Sequence, residues 1–282
     1  MVDTADDFWL AEAVSRFTAD YDGVIGDRRV DLIGKQKALL NFGRNVNMSN
    51  GVIETIWDIG IANETYVASN LIDSISSSSA SDTITVRVDG HYYGADGNLH
   101  FVILNATLTG QTPVTTTSVV SDLYGEYSGA LARVTRLANL SSVLLVGDVY
   151  VYQSTQTVTA GVPQDLTKVH AKIRGTAGLQ QANKTATTTS NEDFYIITAT
   201  RGGVAKAQAS FVDFTLEVRE QGGVFRERAI GIGSRDSGFG MIFSVPPYLI
   251  VPPNADVRVR GTASANNTTG IAEFNGILGA LI

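Results

Sequence analysis

The sequence contains no cysteine, so neither disulfides nor thiolate metal sites hold this fold together. Histidine is almost as scarce, with three in 282 residues: His91, His100 and His170. Charge is sparse as well. Charged residues make up 17% of the chain, below the roughly 25% typical of soluble domains. Its surface is therefore made polar largely by Ser, Thr, Asn, Gln and Gly. The formal net charge of −7 and the absence of any long basic run argue against nucleic acid as a partner. No segment approaches ~20 continuous apolar residues, so no membrane-spanning helix is expected. The start, MVDTADDFWLAEAV, lacks the basic residues and apolar run of a signal peptide.

Familiar catalytic signatures are missing too. "GIGSRDSGFG" lacks dinucleotide-loop spacing, and no nucleophile elbow, HExxH or calcium loop occurs. No βαβ alternation supports a Rossmann-like or barrel enzyme. The sequence predicts no enzyme, no cofactor and no metal.

What is present is β pattern. Ile84, Val86 and Val88 alternate with Thr83, Thr85 and Arg87 in "TITVRVDG", and a hairpin is expected around residues 94 to 97. That hairpin sets His91 opposite His100, two imidazoles without a third ligand. "SISSSSASDT" reads as a flexible loop, and residues 128 to 139 as a weak helical candidate. Residues 153 to 167 read as a linker or long crossover. "YLIV", bracketed by Pro246-Pro247 and Pro252-Pro253, reads as an edge strand or an extended loop. Only residues 4 to 19 carry clear helical spacing, with Thr4 and Asp7 as a capping box. There Trp9, Leu10, Val14 and Phe17 form an apolar stripe suited to a neighbouring subunit or to the chain's own body. The expected fold is all-β. A short N-terminal helical arm (1–27) precedes two antiparallel, jelly-roll-like β-sandwich domains (28–155 and 156–282).

The most charged stretch is "VDFTLEVREQGGVFRERAIGIG", residues 212 to 233. A two-residue turn at Gly222-Gly223 sets Glu217 opposite Arg228, a favourable pair. It also sets Arg219 opposite Arg226 and puts Glu227 on the apolar face. Widening the turn to 221–223 sets Glu217 opposite Glu227, as a carboxylate dyad for hydrolysis would need. No single register suits every residue, so a bulge or an intersubunit partner is expected. Arg219, Arg226 and Arg228 join Trp9, Leu10, Val14 and Phe17 as candidate interface residues. Tyr92, Tyr93, Tyr124, Tyr127, Tyr150 and Tyr152 could line a sugar-binding surface or serve as ordinary strand residues.

Taken in order, "LLNFGRNVNMSNGVIETIWDIG", "SSSSASDT", "ITVRVDGHYYGADGNLHFVILNATLTGQTPVTTT", "ARVTRLAN", "VGDVYVY", "FTLEVREQGGVFRERAIGIG" and "PPNADVRVRGTASANN" resemble a group of tailed-phage virion structural proteins. The likeness covers roughly residues 39 to 282. It implies a virion protein assembled in the host cytoplasm. The expected role is a capsid decoration or cement subunit on the head exterior. Its partners would be the major capsid protein or other virion proteins, with a homo-oligomer, preferably a trimer, and no nucleic acid or membrane. A neck, tail or fibre-base component and a glycan-binding attachment module are the alternatives. The resemblance carries no catalytic residues.

Overall fold

The computed structural model describes residues 24–25, 28–31, 37–59, 61–176, 180–182, 184–205, 210–234, 239–242 and 249–281. Among them every regular element is a β-strand except one 3-10 turn, Leu166–Lys168, and all strand pairs are antiparallel. The described residues are nearly all β, as their period-two patterning predicts. The N-terminal arm, with Trp9, Leu10, Val14 and Phe17, lies outside the described residues.

Four sheets pack as two sandwiches. In the first, one sheet runs Arg133–Asn139, Thr85–Tyr93, Leu99–Thr107, Val119–Asp122. The facing sheet runs Val169–Ile173, Val149–Tyr152, Ser74–Ser77, Val114–Thr115. Val86, Val88, Val102 and Leu104 from one sheet meet Ile75, Val149, Val151 and Ile173 from the other in a shared core. Hairpin neighbours lie side by side within one sheet, so this order does not show the alternation of strands between sheets that a jelly roll requires.

In the second sandwich, a five-stranded sheet orders Ala186–Thr188, Ala255–Ala263, Phe211–Glu220, Arg226–Ser234, with Ile53–Thr55 also on Ala255–Ala263. Opposite it, Asp193–Ala205 and Thr268–Leu281 form the centre of a seven-stranded sheet. Phe214, Leu216, Val257 and Val259 meet Tyr195, Ile197, Ala272 and Phe274 between them. Among the described residues Leu249–Val251 pairs only with Asp193–Ala205, as an edge strand does.

The pairing crosses the sequence-expected boundary at 155/156 in three places. Lys37–Met48 pairs along Thr268–Leu281, and Ile53–Thr55 pairs with Ala255–Ala263. Residues 37–55 thus belong to the C-terminal sandwich. Val149–Tyr152 pairs with Val169–Ile173 across the expected division at 155/156. The first sandwich, whose core spans Val67 to Ala182, is an insertion within the second. The stretch expected to be a linker is a tight hairpin, Val158–Thr159 with Val162–Pro163. Ala160 (φ 48°) and Gly161 (φ 75°) turn it, the left-handed pair that a two-residue hairpin needs.

Two further expectations fail, one of them in part, for physical reasons. The first half of the serine run is a buried strand, Ser74–Ser77, while residues 78–83 form a loop as expected. Ser76 Oγ donates to the Gly161 carbonyl (2.8 Å) and shares a bond with the Tyr152 hydroxyl (3.0 Å). Ser77 Oγ donates to Asp82 (2.5 Å). Glycine is required at position 161, because a Cβ there would stand 1.8 Å from the Ser77 carbonyl oxygen. The helical candidate is likewise a strand, Arg133–Asn139. Leu131, Val134 and Leu137 repeat every three residues because the register shifts between Val134 and Arg136. A bulge there lets both Val134 and Leu137 face the core, which imitates a helical period.

His91 and His170 are buried, and burial lowers each imidazole to about 3. The unfolded chain takes up these protons near pH 6.5, so it binds more protons than the folded chain between pH 6.5 and 3. Stability therefore falls as pH drops through this window, by about 1.4 kcal/mol per pH unit for each histidine. Urea titrations between pH 7 and 5 should show this slope, and His91→Leu should roughly halve it. An unchanged slope in that variant would refute the assignment.

Candidate functional site

The hairpin of residues 211–234 combines the two registers weighed from sequence. From Phe211↔Ser234 to Leu216↔Ala229 it follows the two-residue-turn register. A shift after Leu216 then sets Glu217 opposite Glu227 and Val218 opposite Arg226. The expected bulge is present. The turn differs, because Gly223 N–H donates to the Glu220 carbonyl (2.9 Å) and Gly222 has φ 73°. Gln221-Gly222 is therefore the central pair.

The charges are resolved by the other neighbour. Ala255–Ala263 sets Arg258 opposite Glu217 and Asp256 opposite Arg219. Arg258 Nε donates to Glu217 (2.7 Å), and Arg260 donates to its second oxygen. Glu217 is buried while Glu227 is exposed, so one carboxylate is locked between two guanidiniums and the other faces solvent. A shared-proton dyad needs two carboxylates in contact, and this pair lacks that arrangement. Alternation in "ADVRVRG" was the signal for this partner: Asp256, Arg258 and Arg260 line one face and complement Glu217 and Arg219.

Asp256 extends the network to the first sandwich. Arg133, at the start of Arg133–Asn139, donates to both Asp256 oxygens (2.8 and 3.3 Å). Arg219 donates from Nε (3.2 Å) and from a terminal nitrogen, and Thr188 Oγ1 adds a fifth bond (2.7 Å). Burial alone would raise the Asp256 carboxyl, but Arg133 and Arg219 outweigh it and hold it below the usual carboxylate range. Two rings fill the gaps between the guanidiniums. Arg258 lies 3.6 Å from the Phe225 centroid, and Arg219 lies 4.3 Å from that of Tyr66. Lys184 and Glu64 form a further buried pair beside it.

A second seam joins the sandwiches at the tip of the 94–98 hairpin. Leu99 N–H donates to Asn254 Oδ1 (2.8 Å), and Gln221 Nε2 to the Gly97 carbonyl (2.8 Å). His100 lies opposite Tyr92, not His91, because the turn holds one more residue than the sequence suggested. Its ring nitrogens face Glu192 and Asp96, each at 3.0 Å, and its ring stacks on Tyr124. Among the described residues no cluster of three or more acidic or histidine side chains has metal-binding spacing. Of the six tyrosines, Tyr92, Tyr150 and Tyr152 are buried in cores, and they form no common surface.

A cleft of about 270 Å³ lies where residues 45–62 meet Lys172 and Arg174. Its charges are satisfied internally. Arg174 Nε meets Asp58 at 2.5 Å, and Lys172 turns to Asp148 at 2.8 Å. Burial raises the Asp58 carboxyl against the pull of Arg174.

The exposed surface is more telling. Leu140, Val143, Leu144 and Val146 all stand out from one loop, Leu144 at 62% exposure. The loop is fixed from beneath. Asn139 Nδ2 donates to the Val143 carbonyl (2.8 Å), and Asp82 accepts the N–H groups of Val146 and Gly147 (2.8 and 2.9 Å). Sequence reading missed this loop because "NLSSVLLVGD" looks like a strand. Of the predicted interface residues, Arg226 and Arg228 are exposed, whereas Arg219 is engaged with Asp256.

No protein-family model matches the chain, and no curated protein does. Solved structures align only distantly. The infectious bursal disease virus VP2 subviral particle gives 10% identity over 96% of this chain and 78% of that one, with a TM-score of 0.19. The structure of the infectious bursal disease virus Gx strain gives 8% identity over 94% and 80%, with a TM-score of 0.21. Scores this low do not define a common fold.

The network makes an asymmetric prediction. Glu217→Gln or Asp256→Ala strands buried guanidiniums and should cost about 3–5 kcal/mol in denaturant unfolding. Glu227→Gln should stay within about 0.5 kcal/mol of the parent. Equal effects at positions 217 and 227 would show that the two carboxylates act as a pair.

Proposed function

We propose that this chain is a virion structural protein that works by protein–protein contact and has no enzymatic role. Within that class we assign it to a head decoration, or cement, subunit that assembles as a homo-oligomer, preferably a trimer, on the major capsid protein. The observation that carries the reading is the fixed apolar loop of Leu140, Val143, Leu144 and Val146. Apolar side chains held outward by hydrogen bonds beneath them lose little entropy on docking. The loop presents on the order of a few hundred Å² of apolar surface, the scale at which exposed patches mark interaction sites. That is less than the roughly 800 Å² per partner of a stable pairwise interface. Contacts of that size gain strength through many copies, as on a symmetric shell. A sparsely charged surface and the ordered likeness of residues 39 to 282 to tailed-phage virion proteins support the same reading.

Cryo-electron microscopy of particles carrying this protein tests it. Density for the chain is expected on the head exterior in hundreds of copies. About a dozen copies at the neck or tail would move it to the alternative position, and absence from particles would overturn the virion role. Leu144→Asp with Val146→Asp should lower occupancy on particles without lowering the melting temperature, since both side chains are exposed.

A further inference from the structure

Arg226–Ser234 closes one edge of the five-stranded sheet. Phe211–Glu220 pairs along its inner side, and among the described residues no strand pairs along the other. Phe239–Ile242, which follows in sequence, pairs with Asp193–Ala205 of the opposite sheet instead. An edge strand presents a row of unpaired N–H and C=O groups, and proteins guard such rows with charges, prolines or bulges. Here the guards stand at one end only. Arg226, Glu227, Arg228 and the register shift occupy the end next to the turn. From Ala229 to Gly233 the pairing with Phe211–Glu220 is regular, and the strand carries neither charge nor proline.

The unguarded half reads almost alike in both directions. Ala229-Ile230-Gly231-Ile232-Gly233 alternates small and large residues about Gly231. The small residues serve the core. Ala229, Gly231 and Gly233 lie opposite Leu216, Phe214 and Val212, and a Cβ on Gly233 would stand 2.9 Å from the Phe214 ring. Ile230 and Ile232 face the other way, at 56% and 62% exposure, and the chain itself leaves them in water. Phe211, also exposed, borders them on that face.

We infer that this strand pairs with the same strand of a second copy, antiparallel about a two-fold axis at Gly231. That register sets Ile230 of each copy opposite Ile232 of the other, and Ala229 opposite Gly233. Large residues then meet large and small meet small, and four isoleucines form one apolar cluster across the axis. The register also keeps the arginines of the two copies at opposite ends, whereas a parallel pairing would set each against its own counterpart. Roughly four to six backbone hydrogen bonds close the edge. Free N–H and C=O groups alone would admit any extended strand. The near-mirror order of the side chains is what singles out a second copy.

A pairing of five residues per strand falls short of the roughly 800 Å² per partner of a stable pairwise interface, so it is reversible and concentration-dependent. It is a two-fold contact, separate from the trimer proposed above. It is a property of the isolated chain and stands whether or not the protein resides in a virion.

Because the chain has no cysteine, paired substitutions report the register. Full-length Ile230→Cys and Ile232→Cys proteins would be mixed and oxidised, and each would also be oxidised alone. Residues directly opposed on antiparallel strands have Cα atoms about 4.5–5.5 Å apart, within disulfide range, while a residue and its own counterpart lie on the diagonal, beyond it. The mixed disulfide is therefore expected to exceed either single-variant product about tenfold. In sedimentation velocity the smallest species of the parent should double in mass as concentration rises. Ile230→Lys with Ile232→Lys should raise the concentration needed by about tenfold or more. Both positions are exposed, and far-UV circular dichroism verifies that each variant is folded. Equal yields from mixed and single-variant oxidations overturn the proposal. So does an absence of doubling in the parent, or a doubling that survives both lysines.

Discussion

Asp256 is the point on which the two sandwiches depend. It is buried, and it accepts from Arg133 of one sandwich and from Arg219 and Thr188 of the other. A carboxylate in that position is costly unless several donors replace its water. Five side-chain bonds do so here, and they fix the position of Arg133–Asn139 against Ala255–Ala263. The rings of Tyr66 and Phe225 fit between the guanidiniums because a planar cation stacks where an ammonium could not. The network therefore specifies one relative placement of the sandwiches. An apolar seam of the same area would bury as much surface and tolerate sliding.

Local pattern was legible in the sequence where it depended on immediate neighbours. The alternation of Val86 and Val88, a hairpin turn beginning at Gly94, the edge position of Leu249–Val251 and a bulge in the charged hairpin were all readable, though the turn was read one residue too short. Pairing over long separations was not. Lys37–Met48 finds its partner more than 200 residues later, and nothing in either stretch marks the other. The same blindness hid the partner of Glu217. Its charge was weighed against the adjacent hairpin strand, while the strand that satisfies it lay beyond the prolines.

Composition misled in one place for an instructive reason. Serine runs suggest loops because hydroxyls bind water readily. Ser76 and Ser77 bind buried acceptors instead, Ser76 the carbonyl of Gly161 and Ser77 the carboxylate of Asp82. Polarity in a core strand costs little when every hydroxyl has a partner.

The nesting of one sandwich in the other has a consequence for the order of events during synthesis. The inserted sandwich is one continuous stretch and can close soon after residue 182 leaves the ribosome. Lys37–Met48 emerges before it but has no strand partner until Thr268–Leu281 follows. At ordinary translation speeds that delay is on the order of 10–40 s. For that interval this strand is an unpaired edge, with Leu39, Leu40 and Phe42 open to whatever binds nascent chains.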